Sequence, residues 1–206
     1  MPTLESLRSE VQSHVGQFIC SEIHSEKNTK AVSFRHAAFP PDPSVDVPDV
    51  QGLRDFYDTF AQLTLYFEEE SGDAAFFIAS PSQWPELDSC FRPWLECIEE
   101  DEEEDYLPDW IKNCLVVGEI PRSGNYLLVP AAGPYTGRVF EFEHDGFEFV
   151  ELGQSLPDFV KRNLDLDTSR LTAIASHMRF VTPDENRQWW INELKDNRGN
   201  AVRTEA

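Results

Sequence analysis

Residues 110–164 constrain the fold more than any other part of the chain. Two apolar alternating runs are joined by Arg122-Ser123-Gly124-Asn125, then comes Gly137, and a second alternating pair is joined by Asp145-Gly146. An Asp-Gly dipeptide between alternating hydrophobics signals a hairpin, because both central residues of a type I′ turn need positive φ. If Asp145-Gly146 is a two-residue loop, His144 faces Phe147, Glu143 faces Glu148 and Phe142 faces Phe149. Phe140, Phe142, Phe147 and Phe149 then share one face, while Val139, Glu141 and Glu143 share the other with Leu152, Val150 and Glu148. Glu143 and Glu148, like charges directly opposite, are either solvated or paired with a cation that no neighbouring residue supplies. The stretch closes with Ser155-Leu156-Pro157-Asp158, a capping-box-like helix start with Pro in the first turn, followed by the apolar Phe159, Val160 and Leu164. Four strands and a closing helix are predicted.

Upstream, Leu4, Leu7, Val11, Val15, Phe18, Ile19 and Ile23 recur at three- and four-residue steps and predict an amphipathic helix of about five or six turns. His14 and His24 have no ligand-spaced partner on it and are expected to be surface or half-buried histidines, not metal ligands. Residues 31–36 read as a short strand and 39–48 as a proline-stiffened connector. A helix is predicted over 50–63, with Leu53, Phe56, Tyr57 and Phe60 on one side. Strands over 63–67 and 74–79 flank Glu70-Ser71-Gly72-Asp73. A helix over 84–98 carries Trp84, Leu87, Phe91, Trp94, Leu95 and Ile98 toward a core. Beyond the closing helix, 175–181 reads as a strand, and Thr182-Pro183-Asp184-Glu185 reads as the start of a helix bearing Trp189, Trp190 and Leu194. Those tryptophans either pack on the domain or form a partner site. Asn197-Arg198-Gly199-Asn200 would end that helix, with a frayed tail from Gly199.

The predicted fold class is α+β: a single domain with an antiparallel or mixed sheet of about five to six strands packed by helices, and helical N- and C-terminal extensions. Residues 1–46 form the N-terminal helix and connector, 47–165 the core, and 166–206 the C-terminal extension.

Charge narrows the partners. With 38 acidic against 17 basic residues the net charge is -21, a field that repels nucleic acid and anionic membranes and draws cationic partners in quickly. An acidic proteome would give the same charge with no partner at all. Glu99, Glu100, Asp101, Glu102, Glu103, Glu104 and Asp105 are consecutive acids, a solvated loop or helix end on one reading and a patch for a basic protein on the other. They lack the alternate spacing and the Gly of a calcium loop. Cys20, Cys90, Cys97 and Cys114 show no zinc spacing and fit reduced, mostly buried thiols. With no signal segment and no apolar run long enough to span a bilayer, the expected location is cytoplasmic.

Nucleophilic and phosphate chemistry lack their motifs. No G-x-S-x-G occurs, and residues 121–125 hold one Gly and no Lys, which makes a hairpin turn and not a phosphate loop. The chain therefore reads as a non-enzyme with no cofactor and no metal.

The segments VVGEIPRSGNYLLVP, GRVFEFEHDG and SLPDFV together resemble the core of the SUKH superfamily, the Smi/Knr-type domain of bacterial immunity proteins and of a yeast cell-wall regulator. Val117, Gly118, Glu119, Gly124, Gly137, Val139, Phe140, His144, Gly146, Ser155, Leu156 and Phe159 occupy the matching positions. Val47-Pro48-Asp49 through Leu53-Arg54-Asp55-Phe56-Tyr57 resembles the family's first helix, although Glu70-Ser71-Gly72-Asp73 stands where an Asn-Gly-Gly turn is usual. The resemblance covers roughly residues 47–164. It implies an immunity role against a polymorphic bacterial toxin, often a basic nuclease, or alternatively a regulatory scaffold in a signalling or cell-wall pathway. The expected partner-binding residues are Glu141, Glu143, Asp145 and Glu148 on the second hairpin, with Glu99 to Asp105 as a second acidic face.

Overall fold

The computed structural model describes residues 4–23, 25–98, 106–178, 180 and 188–205. In chain order the elements are α1 (Leu4–Ser13), β1 (Gly16–Glu22), β2 (Ser25–Phe39), α2 (Leu53–Tyr57), β3 (Gln62–Phe67), β4 (Phe76–Ile78) and α3 (Trp84–Leu95). Next come β5 (Cys114–Ile120), β6 (Asn125–Pro130), β7 (Val139–Glu143), β8 (Glu148–Gly153), α4 (Leu156–Leu164), α5 (Thr168–His177), β9 (Trp189–Asp196) and β10 (Ala201–Arg203). The strands join in the order β10-β9-β1-β2-β3-β4-β5-β6-β7-β8, and each neighbouring pair is antiparallel.

Among the described residues a single antiparallel sheet of ten strands replaces the expected five to six, and the terminal segments expected to be helical extensions supply β1, β2, β9 and β10 beside α1 and α5. The N-terminal helix stops at Ser13, and the run that continues its apolar spacing becomes β1, with Phe18 and Cys20 turned inward at period two. Gly16 explains the switch: a Cβ there would lie 2.3 Å from the Lys195 carbonyl oxygen, so β9 packs where a side chain would have stood. The C-terminal tryptophan segment is strand β9. Its buried Ile191 and Leu194 are three residues apart, as on a helix, because a bulge opposite Ile19 and Cys20 inserts one residue between them. Residues 201–203 pair with β9 where a frayed tail was expected, and the turn before them is organised by Asp196, which accepts from the Arg198 and Asn200 backbone N–H at 2.9 Å each. Residues 175–177 close α5 where a strand was expected, and the proposed helix start at Thr182-Pro183-Asp184-Glu185 lies outside the described residues.

The stretch that most constrained the chain folds as read. β5 to β8 form a meander with Phe142 facing Phe149 and Glu143 facing Glu148, and Ser155 caps α4 by accepting from the Asp158 N–H. The turn differs in detail. Positive φ falls on Phe147 (φ 54) and not on Asp145 or Gly146, so four residues close the hairpin and the register is unchanged. A bulge at Val139/Phe140 sets Val139 against Gly153 rather than Leu152.

β6 is buried at all six positions because the sheet is covered on both sides. Leu127 and Val129 join the larger apolar cluster with residues of α1, α2, α4 and α5, while Tyr126 and Leu128 join the second cluster with Leu87 and Phe91 of α3, Trp110, Phe140 and Phe142. The helix expected over 84–98 is α3, and that over 50–63 shrinks to α2. Cys20 and Cys114 are buried, Cys90 and Cys97 exposed, and all four are free.

Candidate functional site

Between the β7–β8 hairpin and α5 runs an open groove of about 740 Å³. Its position follows from strand periodicity. Glu141 and Glu143 pair with Val150 and Glu148, so these side chains share the sheet face opposite the Phe142–Phe149 aromatic cluster. α5, capped by Asp167 accepting from the Arg170 N–H at 2.9 Å, supplies the facing wall with Arg170, Ala173, Ser176 and His177. Phe76, Phe159 and Asn163 also line it.

Asn125 organises the acidic wall. Its Nδ2 donates to Glu141 Oε1 at 2.7 Å, and its Oδ1 accepts from the His144 backbone N–H at 3.2 Å. With Oδ1 an acceptor, the 2.9 Å contact to His144 Nδ1 makes that ring nitrogen the donor. His144 Nε2 lies 3.0 Å from Asp145 Oδ1, which places the ring between Asn125 and the hairpin turn. Burial raises the Glu141 carboxyl above its ordinary value; the Asn125 bond pulls it back and the Glu143 charge pushes it up.

Glu143, His144 and Asp145 each offer an atom within 4.8 Å of the others. These groups already serve one another: Glu143 accepts from the Asp145 N–H at 3.3 Å and the Gly146 N–H at 2.7 Å, and His144 holds Asp145. Two hydroxyls of the groove are likewise engaged, Ser123 Oγ donating to the Ile120 carbonyl and Ser176 Oγ to the Ala173 carbonyl, each at 2.7 Å. His177 sits at the back of the groove. Burial lowers its pKa, bonds to the Ala75 and Ala173 backbone act the other way, and its Nε2 has no partner among the described residues.

Of the expected partner-binding residues, Glu141, Glu143 and Asp145 line the groove, and Glu148 stands exposed on its rim, opposite Glu143. Glu99, Glu100, Asp101, Glu102, Glu103, Glu104 and Asp105 lie outside the described residues. No described Lys or Arg pairs with Glu143, Asp145 or Glu148; Arg122 is tied to Asp73, and Arg138 to Glu151 at 2.9 Å. Sequence reasoning missed Asn125, His144, Arg170 and His177. Asn125 could have been found as the polar residue closing the first hairpin beside the second, whereas α5 reaches the groove only through the tertiary fold. Among the described residues no helix is long and apolar enough to cross a membrane. Neither a protein-family model, nor a curated protein, nor a solved structure matches this chain.

Proposed function

We propose that this chain is a non-catalytic protein-binding module of SUKH type, acting in the cytoplasm as an immunity protein that holds a basic toxin domain, a nuclease among the candidates. The observation that supports this reading is the facing pair Glu143 and Glu148, with Asp145 at the turn between them, three carboxylates at one hairpin tip with which no described Lys or Arg forms an ion pair. Like charges directly opposite across a strand pair are unfavourable, and a partner's Lys or Arg relieves them. The net charge of -21 steers such a partner in, and occlusion of its substrate groove neutralises it.

The test is capture from lysate of the native host at low and high salt, using the wild-type chain and the double variant D145K/E148K. A single stoichiometric basic protein with a toxin-like domain, weakened by salt and lost with the double variant, is the expected result. Equal capture by both forms would sink the hairpin assignment. A set of signalling or cell-wall proteins indifferent to the variant would move the reading to a regulatory scaffold of the same fold.

A further inference from the structure

The sheet has two edges of different character. β10 is a three-residue strand, and just beyond it Thr204 N–H donates to the Asn192 carbonyl and Glu205 N–H to Thr172 Oγ1, so the chain leaves that edge tied down. β8 is twice as long, and among the described residues no hydrogen bond reaches the backbone of residues 148–152 from any element other than β7. Every second residue of such a strand turns its N–H and C=O toward solvent, ready to pair with another chain.

We infer that β8 is a docking edge, and that its occupant is an extended segment of a basic partner that pairs antiparallel with it as an eleventh strand. This rests on the reading of the partner as basic. Side chains along the edge select that occupant. On the groove face β8 presents Glu148, beside Glu143, and then Val150, which is 43 % exposed. An added strand therefore sets a Lys or Arg against the two carboxylates and a branched apolar side chain against Val150, two residues apart on one face. A second copy of this chain is disfavoured by charge, since both chains carry net charge -21 and the edge repeats the same carboxylate Glu148 on each copy.

The experiment titrates the full chain with a short synthetic peptide of repeating Lys-Ser-Val-Ser, which sets lysine and valine two residues apart on one face, in three forms: unmodified, N-methylated on the edge that would face β8, and N-methylated on the opposite edge. Affinity and amide hydrogen exchange are read together. The expected result is binding that weakens with salt, a loss of about tenfold or more on methylating the β8-facing edge, little change on methylating the other, and new protection confined to β8 amides. The exposed substitution Val150→Lys should weaken the unmodified peptide by a similar factor. Equal binding of all three forms, or protection elsewhere, overturns edge pairing while the basic-partner reading stands. So does failure of every peptide to bind while the lysate partner is still captured. A concentration-dependent dimer with the same protected amides would identify a second copy as the occupant and overturn the proposal.

Discussion

His14 Nδ1 lies 2.9 Å from His36 Nε2 with both rings buried, and the neighbours of the pair fix every proton on it. The Tyr66 backbone N–H donates to His36 Nδ1 at 3.1 Å, so neutral His36 carries its hydrogen on Nε2 and donates to His14. His14 in turn donates from Nε2 to Asp196 Oδ2 at 3.2 Å. A residue expected to be at most half-buried is thus the joint that ties the end of α1 to β2, β3 and the β9–β10 turn. Tyr66 adopts φ 56 to reach it, and its hydroxyl donates to the Asn163 carbonyl of α4.

This relay predicts acid sensitivity. Burial holds His36 down to about 3, with the His14 and Arg198 charges adding, and burial also lowers His14 against the opposing bond to Asp196. Below the unfolded value of 6.5 the unfolded chain takes up protons that the native rings refuse, so stability is complete above that pH and falls steadily toward about 3. The slope from His36 alone is on the order of 1 kcal/mol per pH unit. Asp196 and Glu68, both lowered, steepen the loss at the acid end, whereas Glu119 and Glu141, both raised, oppose it. Urea midpoints measured from pH 8 to 4 should fall, and His36→Phe should flatten the trend while lowering stability at pH 8. A midpoint independent of pH would rule the relay out as a neutral pair.

Replacing Asn125 with Ala strands the Glu141 carboxylate and frees His144. We expect a loss of about 1–3 kcal/mol in urea unfolding. The Glu141 carboxyl should titrate at higher pH than in the wild type, because the Asn125 bond is what lowers it. Carboxyl carbon chemical shifts followed against pH check this directly.

Glycines separate into structural and permissive positions. At Gly137 (φ 82) a Cβ would lie 2.4 Å from the Gln51 carbonyl oxygen, so Gly137→Ala should cost about 3 kcal/mol or more. Gly72 has φ 75 but open space around it, and Gly72→Ala should cost only about 1–2 kcal/mol. Equal midpoints for the two variants would contradict the close approach of the loop before β7 to residue 51.

Asp145→Lys and Glu148→Lys, both on exposed side chains of the hairpin, should leave the urea midpoint within about 0.5 kcal/mol of wild type. Their effect belongs to association, where they should slow capture of a cationic partner at low salt and matter less as salt rises. Stopped-flow association at two ionic strengths reads the difference.

The sequence by itself determined the β5–β8 meander, its register at Phe142–Phe149 and Glu143–Glu148, the Ser155 cap and the α3 core helix. Each rests on a signal contained within a few residues: period-two alternation, a turn dipeptide, or a side chain that caps its own helix. Only the tertiary structure decided that residues 16–22 and 189–196 are strands. Their apolar spacing fits a helix as well, and the bulge that reconciles Ile191 with Leu194 exists only once β1 and β9 have paired. The His14–Asp196 bond, between residues 182 apart, and the wall that α5 lends to the groove were decided in the same way. Partners so distant in the chain leave no periodicity in the sequence, and the free energy that selects them is available only after the sheet has closed.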